Sequence, residues 1–196
     1  VFGGILGRLQ NEKDVEEMKQ YEIPAFDLVI VDLYPFEETV KKTDDPAQII
    51  EKIDIGGISL IRAGAKNFNE VVIVPDSKYY LEFMELYKNQ NGCTSIEDRK
   101  RFAKYAFATS SHYDGMIYDW FAKDDDASDL NIHIDSRSEL RYGENPHQKA
   151  VFYGKLDDVF EKLHGKDLSY NNLLDLEAGL NLIREFDEPT FAILKH

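Results

Sequence analysis

Asp54, Arg62 and Lys66 are charged side chains carried by a stretch apolar enough to be buried, EKIDIGGISLIRAGAKN, residues 51 to 67. An unpaired carboxylate is costly in a run such as IDIGGI, so Asp54 invites a role. It stands just before paired glycines, where the free backbone N–H groups of a helix start can receive an anion. From about Ile58 to Asn67 the spacing predicts a helix. Ile58, Ile61 and Ala65 form its apolar stripe, while Ser59, Arg62 and Lys66 share another face. Arg62 and Lys66, four residues apart, are a place to build a basic pocket for an anionic substrate. The plainer reading is an amphipathic helix with a solvated basic face. Twelve residues of straight helix hold Asp54 and Lys66 about 18 Å apart. A site shared by both therefore requires the chain to turn at Gly56-Gly57, and that turn is the expectation.

Other groups stand out more weakly. Tyr34, in VDLYPF, follows a predicted buried strand at its carboxyl end, where open α/β sheets place ligands. The segment LRYGENPHQ gathers Arg141, Tyr142, Asn145, His147 and Gln148 around a Gly and a Pro, although turn chemistry alone also explains that composition. Lys195 and His196 put a cation beside a base. The five histidines are scattered without metal-ligand spacing, so no metal site is expected. A glycine-rich phosphate loop of the dinucleotide or P-loop type is absent from the sequence.

The elements that must position these residues follow an α/β order. NEKDVEEMKQY reads as a charged surface helix. FDLVIVDLYPF carries the apolar run Leu28 to Val31, the pattern of a parallel strand covered on both faces. Helices follow at 46 to 53, opened by Pro46, and from about 58 to 67; EVVIVP is a second buried strand, and SKYYLEFMELYKN a helix. Thr94 and Glu97 have capping-box spacing at the head of a long helical stretch. Residues 123 to 139, acidic and poor in large apolar side chains, read as a linker between a module at 1 to 122 and another at 140 to 196. The second module is expected to hold a loop, a helix in SYNNLLDLEAGLNLIREF and a strand in TFAIL. Val1 and the ending TFAILKH suggest a fragment of something longer.

A net charge of -14 and a pI near 4.7 argue against nucleic-acid and anionic-membrane partners, which recruit through a positive field. No run approaches the roughly 20 apolar residues of a membrane span. Cys93 is the one cysteine, so there is no internal disulfide, and a cytoplasmic setting is expected.

Taken in order, GGILGR, VIVDLYPFEETV, EKIDIGGISLIRAGAKN, SSHYDGMIYDWF, LRYGENPHQ, SYNNLLDLEAG and FAILKH resemble the family of bifunctional AICAR transformylase/IMP cyclohydrolases of purine biosynthesis. The resemblance spans nearly the whole chain. It implies a methylglyoxal-synthase-like α/β cyclohydrolase domain over 1 to 122, lacking its N-terminal part, and the opening of a cytidine-deaminase-like transformylase domain over 140 to 196. By the same resemblance Tyr34, Asp54 and Lys66 match cyclohydrolase active-site positions, and Lys195 and His196 match the transformylase Lys-His pair. Arg62, Asn67, Arg141, Tyr142 and Asn172 match substrate-binding positions. The implied substrates are AICAR, FAICAR, IMP and 10-formyltetrahydrofolate, and the implied assembly is a homodimer. Asp32 stands where many members have Asn, and Gly64 replaces a common Ala, at a helix cost of up to about 1 kcal/mol. The competing class is a non-catalytic nucleotide-sensing module of methylglyoxal-synthase type, which the second module's motifs argue against.

Overall fold

The computed structural model describes residues 1–124, 132, 134 and 136–194. The chain clusters into two compact units, Val1–Asn131 and Ile132–His196. The first unit opens with α1 (Phe2–Leu6) and α2 (Glu12–Gln20), followed by β1 (Leu28–Ile30), α3 (Phe36–Lys42), α4 (Pro46–Ile50) and α5 (Gly56–Lys66). It continues with β2 (Val72–Val74), a 3-10 turn at Ser77–Tyr79, α6 (Tyr80–Asn89) and α7 (Ile96–Phe121). None of the described helices is long and apolar enough to cross a membrane.

β1 and β2 pair in parallel, with Leu28 opposite Val72, Val29 opposite Ile73 and Ile30 opposite Val74. Parallel neighbours need a long crossover, and here it carries α3, α4 and α5. β2 is buried at all three residues. Ile73 packs with Ile61 and Ala65 of α5 and with Ala103 and Ala106 of α7. Val72 and Val74 pack with Phe83, Leu86 and Phe102 of α6 and α7. β1 departs from the expected double coverage. Val29 joins the core, but Leu28 and Ile30 are exposed, because the helices that cover β2 do not reach over them.

Gly64 brings α5 close to β2. A Cβ there would stand 3.1 Å from the Ile73 Cβ, so this glycine sets a packing distance as well as weakening a helix. The long α7 is a single 26-residue helix, about 39 Å in length. Its capping box uses Ser95 and Asp98, one residue beyond the Thr94 and Glu97 expected. Thr94 instead accepts from Arg99 Nη1 through its carbonyl. At the far end of α7, Tyr113 and Trp120 meet Phe36 edge-on.

The second unit contains an antiparallel pair, β3 (Arg137–Leu140) and β4 (Ala150–Tyr153), a 3-10 turn at Leu156–Asp158, and α8 (Tyr170–Ile183). β3 begins inside the stretch read as linker, because RSEL has no apolar signature and owes its extended form to pairing with β4. Most of the remaining linker, residues 125–131, 133 and 135, lies outside the described residues. TFAIL does not form a strand: residues 191–194 have no ladder partner among the described residues, and Phe191 and Ile193 are largely exposed. Of the described residues of this unit, only Gly143, Ser169 and Gly179 are buried.

Candidate active site

The loop before α5 carries Asp54 to the head of that helix. Asp54 is 8% exposed. Its Oδ1 accepts from Gly57 N at 2.6 Å and its Oδ2 from Tyr34 N at 3.4 Å. A carboxylate in this position satisfies an orphan N–H and faces the positive end of the helix dipole. Gly57 is required by contact, since a Cβ there would lie 2.7 Å from Asp54 Oδ2, while at Gly56 nothing lies within 4 Å. The two glycines are the first residues of α5, and the chain does not fold back at them. This corrects the expected turn: with Asp54 capping it, the helix simply begins there. α5 runs unbroken to Lys66, so Asp54 and Lys66 stand at opposite ends, at least about 15 Å apart along the axis. A direct ion pair between them is excluded.

Tyr113, from α7, reaches the same loop. Its hydroxyl donates to Lys52 O at 2.7 Å and accepts from Asp54 N at 2.7 Å. Burial pushes this phenol above its ordinary range and the charges of Asp54 and Asp114 add to the rise, while the bond from the Asp54 amide opposes it.

Tyr34 is 57% exposed, with Lys52 Nζ 5.6 Å from its ring centroid. It lines a cavity of about 490 Å³ together with Asp32, Glu37, Asp76, His112 and Tyr113. The cavity lies beyond the carboxyl ends of β1 and β2, where parallel sheets place ligands. Asp32 accepts a hydrogen bond from the Tyr80 hydroxyl, which pushes the Tyr80 phenol up. Glu37 is held below the usual carboxylate range by a hydrogen bond from Lys41, with His112 adding to the effect.

Lys66 lines a different cavity, of about 540 Å³, with Arg8, Asn11, Asp14, Asn67 and Glu70. Arg8 grips Asp14 through two parallel hydrogen bonds, Nε to Oδ2 at 2.7 Å and Nη2 to Oδ1 at 2.8 Å, and those bonds lower the Asp14 carboxyl to about 2. Buried Asn67 donates both amide hydrogens to main-chain carbonyls, to Ile5 O at 2.8 Å and Gly7 O at 3.1 Å. It ties the end of α5 to the end of α1. Arg62 does not line the Lys66 cavity. Its Nη1 donates to Ser110 Oγ at 3.0 Å, and the guanidinium lies 5.7 Å from the Phe107 ring centroid. The basic pocket expected from Arg62 and Lys66 together is therefore not formed, because α7 draws the arginine to itself.

In the second unit, Arg141, Tyr142 and Asn172 converge on the segment before α8. Arg141 N donates to Leu168 O, and Tyr170 N to Tyr142 O. Arg141 Nη2 donates to the Tyr142 hydroxyl at 2.9 Å. Asn172 Oδ1 accepts from Ser169 N and Oγ as part of the α8 capping box. Lys195 and His196 lie outside the described residues.

Sequence reading missed the contacts of Tyr113 with this loop. Its only signal was a place in the SSHYDGMIYDWF motif, and nothing local relates that motif to a loop 59 residues earlier in the chain.

The chain is similar to known proteins along its whole length. The bifunctional purine biosynthesis protein PurH of Bacteroides thetaiotaomicron is 52% identical over 196 residues, covering 100% of this chain and 38% of that protein. PurH of Microcystis aeruginosa is 44% identical over 205 residues, covering 100% of this chain and 40% of that protein. A solved structure, described as the crystal structure of ForH, shares 34% identity at a TM-score of 0.50 over 62% of this chain and 63% of that one. The chain thus spans about 40% of the length of the curated relatives it matches. The family described as AICARFT/IMPCHase bienzyme matches residues 64–196, and with that match over most of its length the chain belongs to this family.

Proposed function

We propose that the intact protein carries out two consecutive steps of purine biosynthesis. The first is formyl transfer from 10-formyltetrahydrofolate to the 5-amino group of AICAR, giving FAICAR. The second closes FAICAR to IMP with loss of water. Residues 1 to 122 belong to the cyclohydrolase domain, of methylglyoxal-synthase-like fold, and residues from about 140 to the cytidine-deaminase-like transformylase domain. The protein works in the cytoplasm as a homodimer.

Ring closure joins two groups already held on one molecule. The carboxamide nitrogen attacks the formyl carbon, the formyl oxygen takes up negative charge, and the resulting carbinolamine loses water. The protein's task is then to hold a reactive conformer and stabilise the oxyanion. Asp54 orients the attacking nitrogen or takes its proton, and the Tyr34 hydroxyl donates a hydrogen bond to the formyl oxygen. Lys66 supplies positive charge to the anionic substrate from the C-terminal end of α5, acting separately from Asp54; Arg62 and Asn67 hold the surrounding elements. In formyl transfer, His196 takes the proton of the weakly nucleophilic 5-amino group, and Lys195 steadies the formyl oxygen. Arg141, Tyr142 and Asn172 meet the nucleotide.

The observation that carries this reading is the buried Asp54 carboxylate, which accepts from the backbone N–H of Tyr34, a residue lining a cavity beyond the carboxyl ends of two parallel strands, in a chain of the AICARFT/IMPCHase family. Separate assays of the two reactions on the intact protein test it. Asp54→Asn and Lys66→Ala are expected to depress cyclisation far more than formyl transfer, and His196→Ala the reverse. Equal losses in both reactions would reject the assignment.

A further inference from the structure

Loops between short helices rarely hold a reactive side chain still unless something outside the loop fixes their backbone. The segment Lys52 to Asp54, between α4 and α5, has such an anchor. Lys52 N and Ile53 N bond back to Ile49 O and Ile50 O, but the next amide, Asp54 N, donates to the Tyr113 hydroxyl. The same hydroxyl donates to Lys52 O. One phenol thus uses its donor and an acceptor lone pair on the two peptide groups that flank Ile53. The ring itself has little freedom, being 8% exposed and packed edge-on to Phe36 at 6.2 Å. Its raised titration keeps the hydroxyl protonated, and therefore able to donate, through neutral pH.

Two of the three side chains carried by this clamped loop meet Tyr34: Asp54 accepts from its backbone N–H, and Lys52 lies over its ring. Tyr113 also lines the cavity that Tyr34 lines.

We propose that Tyr113 is a positioning residue for ring closure, its hydroxyl setting the place of the Asp54 carboxylate and of the Tyr34 ring against which the substrate is held. The inference rests on reading Asp54 and Tyr34 as groups of the cyclisation site. Tyr113 itself transfers no proton and acts through Asp54. A displacement of about 1 Å in an orienting group costs on the order of a hundredfold in rate, so a hydroxyl that touches no reacting atom still governs turnover.

The test is Tyr113→Phe in the intact protein, which keeps the ring and deletes both hydrogen bonds. The expected result is a fall in kcat for closure of FAICAR of roughly ten- to a hundredfold, with KM changed less than about twofold and formyl transfer unchanged. Trp120→Phe, which trims another ring packed on Phe36 at 6.4 Å, serves as the packing control and is expected to leave both rates alone. Amide hydrogen exchange at Asp54, measured in the same proteins, should accelerate in Tyr113→Phe and not in Trp120→Phe. Unchanged kcat in a Tyr113→Phe protein whose Asp54→Asn counterpart is impaired would overturn the inference. Equal loss of both activities, or unchanged exchange at Asp54, would do so as well. If the unsubstituted protein does not close FAICAR, the functional reading fails, while the exchange measurement still decides the clamp.

Discussion

The two ends of α5 solve the problem of a helix terminus in opposite ways. At the N-terminal end a carboxylate from the preceding loop enters the helix start and is held by Gly57 N, Tyr34 N and, through its own amide, Tyr113. At the C-terminal end the anchor is a neutral amide, Asn67, whose two hydrogens go to main-chain carbonyls, while Lys66 projects beside it toward an open cavity. The first arrangement leaves no slack around its charged group, since a single methyl at position 57 would meet both Asp54 oxygens within 3 Å. The second leaves its cation exposed and fixes only the backbone that carries it. The lesson is that a fold positions a carboxylate by enclosing it and an ammonium by steadying its stem, as the different solvation costs of the two sites require.

Substitutions at each end sharpen this contrast. The largest effect is expected from Gly57→Ala, which evicts the Asp54 carboxylate: cyclisation should fall by about a hundredfold or more. Gly56→Ala, with open space at its Cβ, should leave the rate within about twofold. Steady-state kinetics on the pair decides whether the N-terminal end is as tight as its contacts imply. Asn67→Leu should lower stability by about 2 to 3 kcal/mol, because the Ile5 and Gly7 carbonyls lose their partner at a buried site. Urea unfolding measures it, and a loss below about 0.5 kcal/mol would mean that this anchor is dispensable.

Gly64→Ala probes the middle of the helix. It gains up to about 1 kcal/mol of helix propensity and must displace Ile73 by a few tenths of an ångström. The net change in melting temperature is therefore expected to be small, and a drop of many degrees would show that β2 cannot yield.

The smallest effect concerns pH at the Lys66 end. With the folded Asp14 carboxyl lowered to about 2 by Arg8, the contribution of this pair is complete above the ordinary carboxylate range. It fades as pH falls from there toward about 2. The exposed pair should matter little to stability at neutral pH. A carbon-13 titration of Asp14 should show a midpoint near 2, returning to the ordinary range in Arg8→Ala.

Much of the architecture was legible in the chain. The apolar runs at 28 to 31 and 71 to 74 announced parallel strands, and the period-3.6 stripe of Ile58, Ile61 and Ala65 announced α5, because these patterns reflect burial by near neighbours. What escaped was set at longer range. Coverage of β1, the true cap of α7 and the start of β3 depend on which segments meet, and no local pattern encodes that. The TFAIL stretch shows the same limit from the other side: strand propensity without a ladder partner among the described residues leaves an irregular, largely exposed segment. At the site, the importance of Asp54 was readable from the cost of a carboxylate among apolar residues. Its partners were not, since the inferred meeting with Lys66 assumed that paired glycines break a helix, whereas here they begin one.

Residue types and their order were enough to establish an acidic α/β chain, its family, and the side chains with the chemistry to act. Their arrangement was decided in three dimensions. Which cavity receives Lys66 and which tyrosine holds the Asp54 loop turn on contacts between residues tens of positions apart. Such contacts arise only when α1 and α7 pack against α5, since hydrogen bonds and steric limits act over ångströms in space and are blind to distance along the chain.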